Sequence, residues 1–108
     1  MELTILTQEI YDVSKRLERA SKALYRLAEE KAESERIYRM RLTQEMLALR
    51  EQGMSVGLIN DVARGNVSDL LFQRDAAEAK FKAALESLGA LQSQLSALQS
   101  ILKVQQEV

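Results

Sequence analysis

The sequence predicts an all-α fold, a long antiparallel helical hairpin of coiled-coil type with a short helix at its elbow. Three observations predict it. The 108-residue chain contains no proline, so nothing in it breaks a helix by removing a backbone donor. Three of its four glycines, Gly53, Gly57 and Gly65, fall within thirteen residues, which leaves one place to turn. On either side of that place, apolar residues recur at alternating spacings of three and four, the 3.5-residue period of a helical seam.

The first arm is read from 3 to 52. Leu3, Leu6, Ile10, Val13, Leu17, Ala20, Leu24 and Leu27 keep the period without a miss. The same phase then meets Lys31 and Ser34 before Tyr38, so the seam weakens there. Apolar positions resume at Ile37, Tyr38, Leu42, Met46 and Leu49. The two consecutive four-residue steps from 38 to 46 mark a stutter that locally unwinds a supercoil. Gly53, just past the last periodic residue, is the expected stop. The elbow, 53 to 66, holds a short helix expected to be capped by Ser55 and stopped by Gly65. Asn66, three residues before Asp69, reads as the cap of the next helix. The second arm, 67 to 107, carries the cleaner repeat: Ala77, Phe81, Ala84, Leu88, Leu91, Leu95, Leu98 and Leu102, extended backward by Arg74, Leu70 and Val67. The whole chain, 1 to 108, is expected to form one hairpin domain.

A two-helix hairpin buries one stripe per helix, a thin core for this length. From Ser87 to Leu102 the second arm has no charged residue, and Gly89, Ala90, Ser93, Ser96, Ala97 and Ser100 lie off the leucine seam. Small residues at such spacings let helices approach closely. The expectation is a homo-oligomeric helix bundle whose interface involves Leu88, Leu91, Leu95, Leu98 and Leu102 with Ser93 and Ser96. The plainer alternative leaves serine and glutamine facing water.

Composition removes most chemistry. Without cysteine or histidine there are no disulfides, thiol nucleophiles, Cys/His zinc sites or histidine acid–base pairs. Carboxylate pairs such as Glu29–Glu33 and Asp75–Glu78 lack the histidines of a di-iron bundle. No strand precedes a glycine-rich phosphate loop. The reading is therefore non-enzymatic, with no cofactor. The N-terminal residues lack the pattern of a signal peptide, and no apolar run could span a bilayer, so the cytoplasm is the expected compartment.

A net charge of −1 gives no global field for an anionic partner. One local basic stripe exists: Lys15, Arg19, Lys22 and Arg26 share a helix face away from the seam, and Glu29, Glu33 and Arg36 continue it. Lys15, Arg19, Lys22 and Arg26, with Arg64, are the candidate contacts to phosphates or an acidic partner. The simpler reading is a solvated face with internal ion pairs such as Glu18–Lys22. The segment from Gly53 to Ser68 superficially follows a helix-turn-helix pattern. The second helix would bring Asp69 and Asp75 toward phosphates, so an elbow between arms is the better account. Val56, Leu58, Ile59 and Val62, near Leu70, Leu71 and Phe72, either cap the hairpin core or form an apolar docking tip.

Glu35-Arg-Ile-Tyr-Arg39, Ala63-Arg-Gly-Asn-Val67 with Gln73-Arg-Asp75, and Leu95-Ser-Ala-Leu-Gln-Ser-Ile-Leu-Lys103 carry a resemblance spanning nearly the whole chain. In these segments it resembles small helical proteins encoded by phages and prophages of Gram-positive bacteria. The resemblance implies a phage accessory role in the host cytoplasm, beside replication and recombination genes or in interference with a host system. It implies no catalytic residues. The functional expectation is thus an accessory interaction protein that self-associates and binds a partner protein. A nucleic-acid-associated protein using the basic face is the alternative.

Overall fold

The structure is a computed structural model describing residues 2–107, and it is an all-α helical hairpin. Its described residues form α1 (Leu3–Glu51), α2 (Val56–Asn66) and α3 (Ser68–Glu107).

Helix α1 runs 49 residues without proline or glycine. Its hydroxyl side chains do not interrupt it. Thr7 donates to the Leu3 carbonyl, Ser14 to that of Ile10 and Thr43 to that of Arg39, each one turn back. Outer-face ion pairs one turn apart, among them Glu35–Arg39 and Glu18–Lys22, add a few tenths of a kcal/mol each, ~0.2–0.5.

The helix ends where glycine predicts, through a defined device. Gly53 adopts φ +83°. Its N–H donates to the Arg50 carbonyl (3.0 Å), and the next N–H, of Met54, reaches back five residues to Leu49 (3.1 Å). These two bonds form a Schellman motif, and Met54 packs against the cluster containing Leu49, as the motif favours.

The elbow helix forms as expected, with different ends. Ser55 occupies the N-cap position, but its side chain makes no capping hydrogen bond; its carbonyl accepts from Leu58 N–H instead. Gly65 does not stop α2, which continues to Asn66. Asn66 does not cap α3 but donates its side-chain amide to Glu45 on α1 (2.6 Å). The break falls on Val67 (φ −111°, ψ 22°), the single residue between α2 and α3. Its N–H bonds Ala63, its carbonyl accepts from Leu70 and Leu71, and its side chain is buried. A buried valine therefore makes the joint that glycine and asparagine were expected to make.

The arm expected over 3–52 in the sequence reading is α1, Leu3–Glu51, and the arm expected over 67–107 is α3, Ser68–Glu107. The single hairpin domain of that reading separates by its contacts into two compact units, divided inside the helices rather than at the elbow. One comprises the described residues up to 26 and from 82 onward. There Leu6, Val13, Leu91 and Leu98 form a buried cluster flanked by Ile10, Leu17, Ala20, Leu95 and Leu102. The start of α1 packs on the end of α3, which is antiparallel pairing, and it uses the seam positions of both repeats.

The other unit, Leu27–Phe81, holds the elbow. Leu49, Ile59 and Ala63 are its buried cluster, with Leu42, Met46, Met54 and Val62 against them. Away from the elbow its seam is polar. Half-buried Lys31 lies over the Phe81 ring (5.4 Å), and the Arg74 guanidinium stacks on buried Tyr38 (4.5 Å). Arg74 also reaches Glu35 (3.5 Å). The weakened stretch at Lys31 and Ser34 is thus occupied by cation–ring contacts. Among the described residues no buried side-chain nitrogen or oxygen lacks a partner.

Candidate interaction surfaces

With the seams filled from within the chain, the surfaces open to other molecules are the outer faces of the helices. In the unit formed by the chain ends, Leu91 and Leu98 are buried and Leu88, Leu95 and Leu102 half-buried. Leu91 and Leu98, with Leu95 and Leu102, pack on α1 of their own chain. Of the residues expected at an oligomer interface, Ser93 and Ser96 alone are exposed. They lie on the outer side of α3 with Ala90, Ala97 and Ser100, also exposed. Ile101 (39% exposed) and Val104 (61%) extend that surface with apolar side chains, which line a shallow open groove.

Four exposed alanine and valine positions on α3, Ala83, Ala90, Ala97 and Val104, recur at strict seven-residue intervals. Residues at this interval keep one side of a supercoiled helix. This second stripe was present in the sequence but overshadowed by the leucine repeat, whose side chains carry far more apolar area. Gly89 is beside it, and a Cβ added there would meet nothing within 4 Å. Among the described residues there is room for a side chain at that position.

The basic stripe is exposed on the outer face of α1, as expected: Lys15, Arg19, Lys22 and Arg26 all face solvent. Glu18 sits among them, 3.6 Å from Lys15 and 3.5 Å from Lys22. The charge of Lys15, followed by the hydrogen bond from Lys22, holds the Glu18 carboxyl below its ordinary value. Lys15 and Lys22 are therefore partly compensated in place. Lys15 also lies over the Tyr11 ring (5.6 Å). Further along α1, in the elbow unit, Arg36 binds both Glu33 oxygens (2.6 and 3.0 Å). That hydrogen bonding lowers the Glu33 value and raises the Arg36 one. Arg64 is exposed in the last turn of α2.

The elbow unit carries two grooves. One, of about 520 Å³, is lined by Ala28, Lys31, Glu35, Arg74, Glu78 and Phe81. Its charges are mixed, and Arg74 is committed to Asp75, Glu35 and Tyr38. Its guanidinium value is raised, first by the hydrogen bond to Asp75. This node is not legible in the sequence, because an arginine at a seam position signals a weak seam until its ring and carboxylate partners are located. The second groove, also about 520 Å³, runs between the end of α1 and α2 past Met46, Leu47, Arg50, Val56 and Ile59. The elbow's apolar residues thus divide between the two roles weighed for them. Ile59 and Val62 join the core, whereas Val56 (84%), Phe72 (73%) and Leu58 (56%) are exposed.

Among the described residues there is no group of three or more Asp, Glu, His or Cys side chains placed to hold a metal, and no helix is long and apolar enough to cross a membrane. No family model, curated protein or solved structure matches the chain.

Proposed function

We propose that this chain is a non-catalytic accessory interaction protein that assembles with copies of itself and presents helix faces to a partner protein. The observation that carries the proposal is the outer face of α3 between Ser87 and Leu102. It is exposed and has no charge over sixteen residues, in a chain where 29% of residues are charged. An uncharged helix face with small side chains associates without desolvating ions and permits close approach. Rigid helices also limit the ordering cost of association. Exposed Val56, Leu58 and Phe72 at the elbow supply a separate apolar surface for the partner. A phage-type role in the host cytoplasm, in host interference or beside replication and recombination, is the setting we propose with it, on the sequence resemblance alone.

The test is the solution mass of the wild type and of Ala90→Glu with Ala97→Glu, measured by light scattering. Leu95 and Leu98 are unsuitable targets because they belong to the intrachain seam. An oligomer that dissociates in the double variant supports the proposal. A monomeric wild type at every concentration overturns the self-assembly half of it.

The second reading is a nucleic-acid-associated protein, favoured by the exposure of Arg19 among Lys15, Lys22 and Arg26 on one face. Binding of DNA that weakens steeply as salt rises supports this reading, and its absence at low salt removes it.

A further inference from the structure

The charges bordering the uncharged face of α3 are arranged for one particular pairing. Lys82 and Glu86 precede the face; Lys103 and Glu107 follow it. All four are exposed. Lys82 and Glu107 lie equally far from the point midway between residues 94 and 95, and so do Glu86 and Lys103. A two-fold axis through that point, relating two antiparallel α3 helices, sets every lysine opposite a glutamate of the other copy. A parallel in-register pair sets lysine on lysine and glutamate on glutamate.

From this we infer that α3 docks on α3 of a second copy, antiparallel, with the axis near residues 94 and 95 and with Glu86 facing Lys103 across the interface. The inference rests on the self-assembly reading above and adds its partner, orientation and register. The stripe Ala83, Ala90, Ala97 and Val104 forms the contact line, with Ser93 and Ser100 filling the central alternate positions of the same 3.5-residue period and Glu86 and Glu107 the outer ones. Small side chains there bring the two axes toward the short end of the interhelix range, ~8 Å. The open space at Gly89 fits the same close approach, since no atom of the chain itself occupies it. The leucine seam stays on the opposite side of α3, engaged with α1, so the dimer needs no rearrangement of the hairpin. Such a contact is isologous: each surface element meets its symmetry mate, and the assembly closes at two copies.

Charge reversal tests orientation and register together. Glu86→Lys sets two like-charge pairs against Lys103 of the other copy, and Lys103→Glu does the same in the opposite sense. Each single variant is expected to raise the dimer dissociation constant about tenfold at low salt. Glu86→Lys with Lys103→Glu is expected to restore it. Residues 86 and 103 are seventeen apart on one helix, roughly 25 Å, so rescue arises only between chains. Sedimentation equilibrium of the four proteins gives the constants, and circular dichroism checks that the exposed substitutions leave the helices intact. A wild type that stays monomeric overturns this inference and the self-assembly reading with it. A wild-type oligomer indifferent to the single reversals, or singles that the double does not rescue, overturns the antiparallel α3 contact and leaves self-assembly through another surface standing.

Discussion

Replacing Leu98 by alanine measures how much of the hairpin rests on its thin seam. Leu98 is 6% exposed and belongs to the cluster with Leu6, Val13 and Leu91. Leu→Ala at buried sites costs about 2–5 kcal/mol, the sum of lost transfer energy and the residual cavity. A seam one side chain deep can collapse around the gap, so the low end applies, about 2–3 kcal/mol. For a chain of 108 residues the unfolding entropy is ~0.23 kcal/mol/K, which converts this loss to a fall in Tm of roughly 10 °C. Tyr25→Ala is the control: Tyr25 lies in the same unit at 81% exposure, and its loss is expected within about 0.5 kcal/mol. Urea unfolding followed by far-ultraviolet circular dichroism reads both, at protein concentrations low enough to suppress association. Equal midpoints for the two variants would refute the intrachain assignment of the leucine seam.

Two glycines separate by sign. Gly53→Ala forces a left-handed residue at the α1 stop and is expected to destabilise by about 1–2 kcal/mol, whereas Gly89→Ala, in open space inside α3, is expected to stabilise by about 0.4–1 kcal/mol; urea midpoints at low protein concentration check both. Arg74→Met removes the guanidinium from the Tyr38 ring and from Glu35. The expected coupling in a double-mutant cycle with Tyr38→Leu is about 1 kcal/mol, and additivity of the two changes would refute the stacking role. Glu18, whose folded value lies below the ordinary 4.5, stabilises fully above that value. Its contribution is lost as pH falls through the depressed folded value. Carboxyl titration by NMR should place Glu18 below 4.5 in low salt and return it toward 4.5 in Lys15→Ala.

The helices and their seam positions were legible because period and punctuation are local. No proline interrupts either arm, and the residues that make the seam in the structure are those at the alternating three- and four-residue steps. Gly53 was legible as a stop because only a residue free of Cβ strain adopts φ +83° readily. The α2–α3 joint was not. Ser55, Gly65 and Asn66 have the right chemistry for caps, but the tertiary contact between Asn66 and Glu45 and the burial of Val67 moved the break to a valine. Local propensities of a few tenths of a kcal/mol yield to such contacts.

The candidate surfaces divide along the same line. Sequence alone placed Lys15, Arg19, Lys22 and Arg26 on one exposed face, because charge and helical spacing suffice for that. It could not decide whether the α3 leucines face their own chain or another, since a heptad seam is equally complementary to any helix of matching period. Tertiary structure decided it: Leu91, Leu95, Leu98 and Leu102 pack on α1, and the uncharged alanine–serine side of α3 is left exposed. The polar node of Arg74, Glu35 and Tyr38 likewise required the fold. Its members lie on different helices, and their attraction depends on a distance that no spacing within one helix encodes.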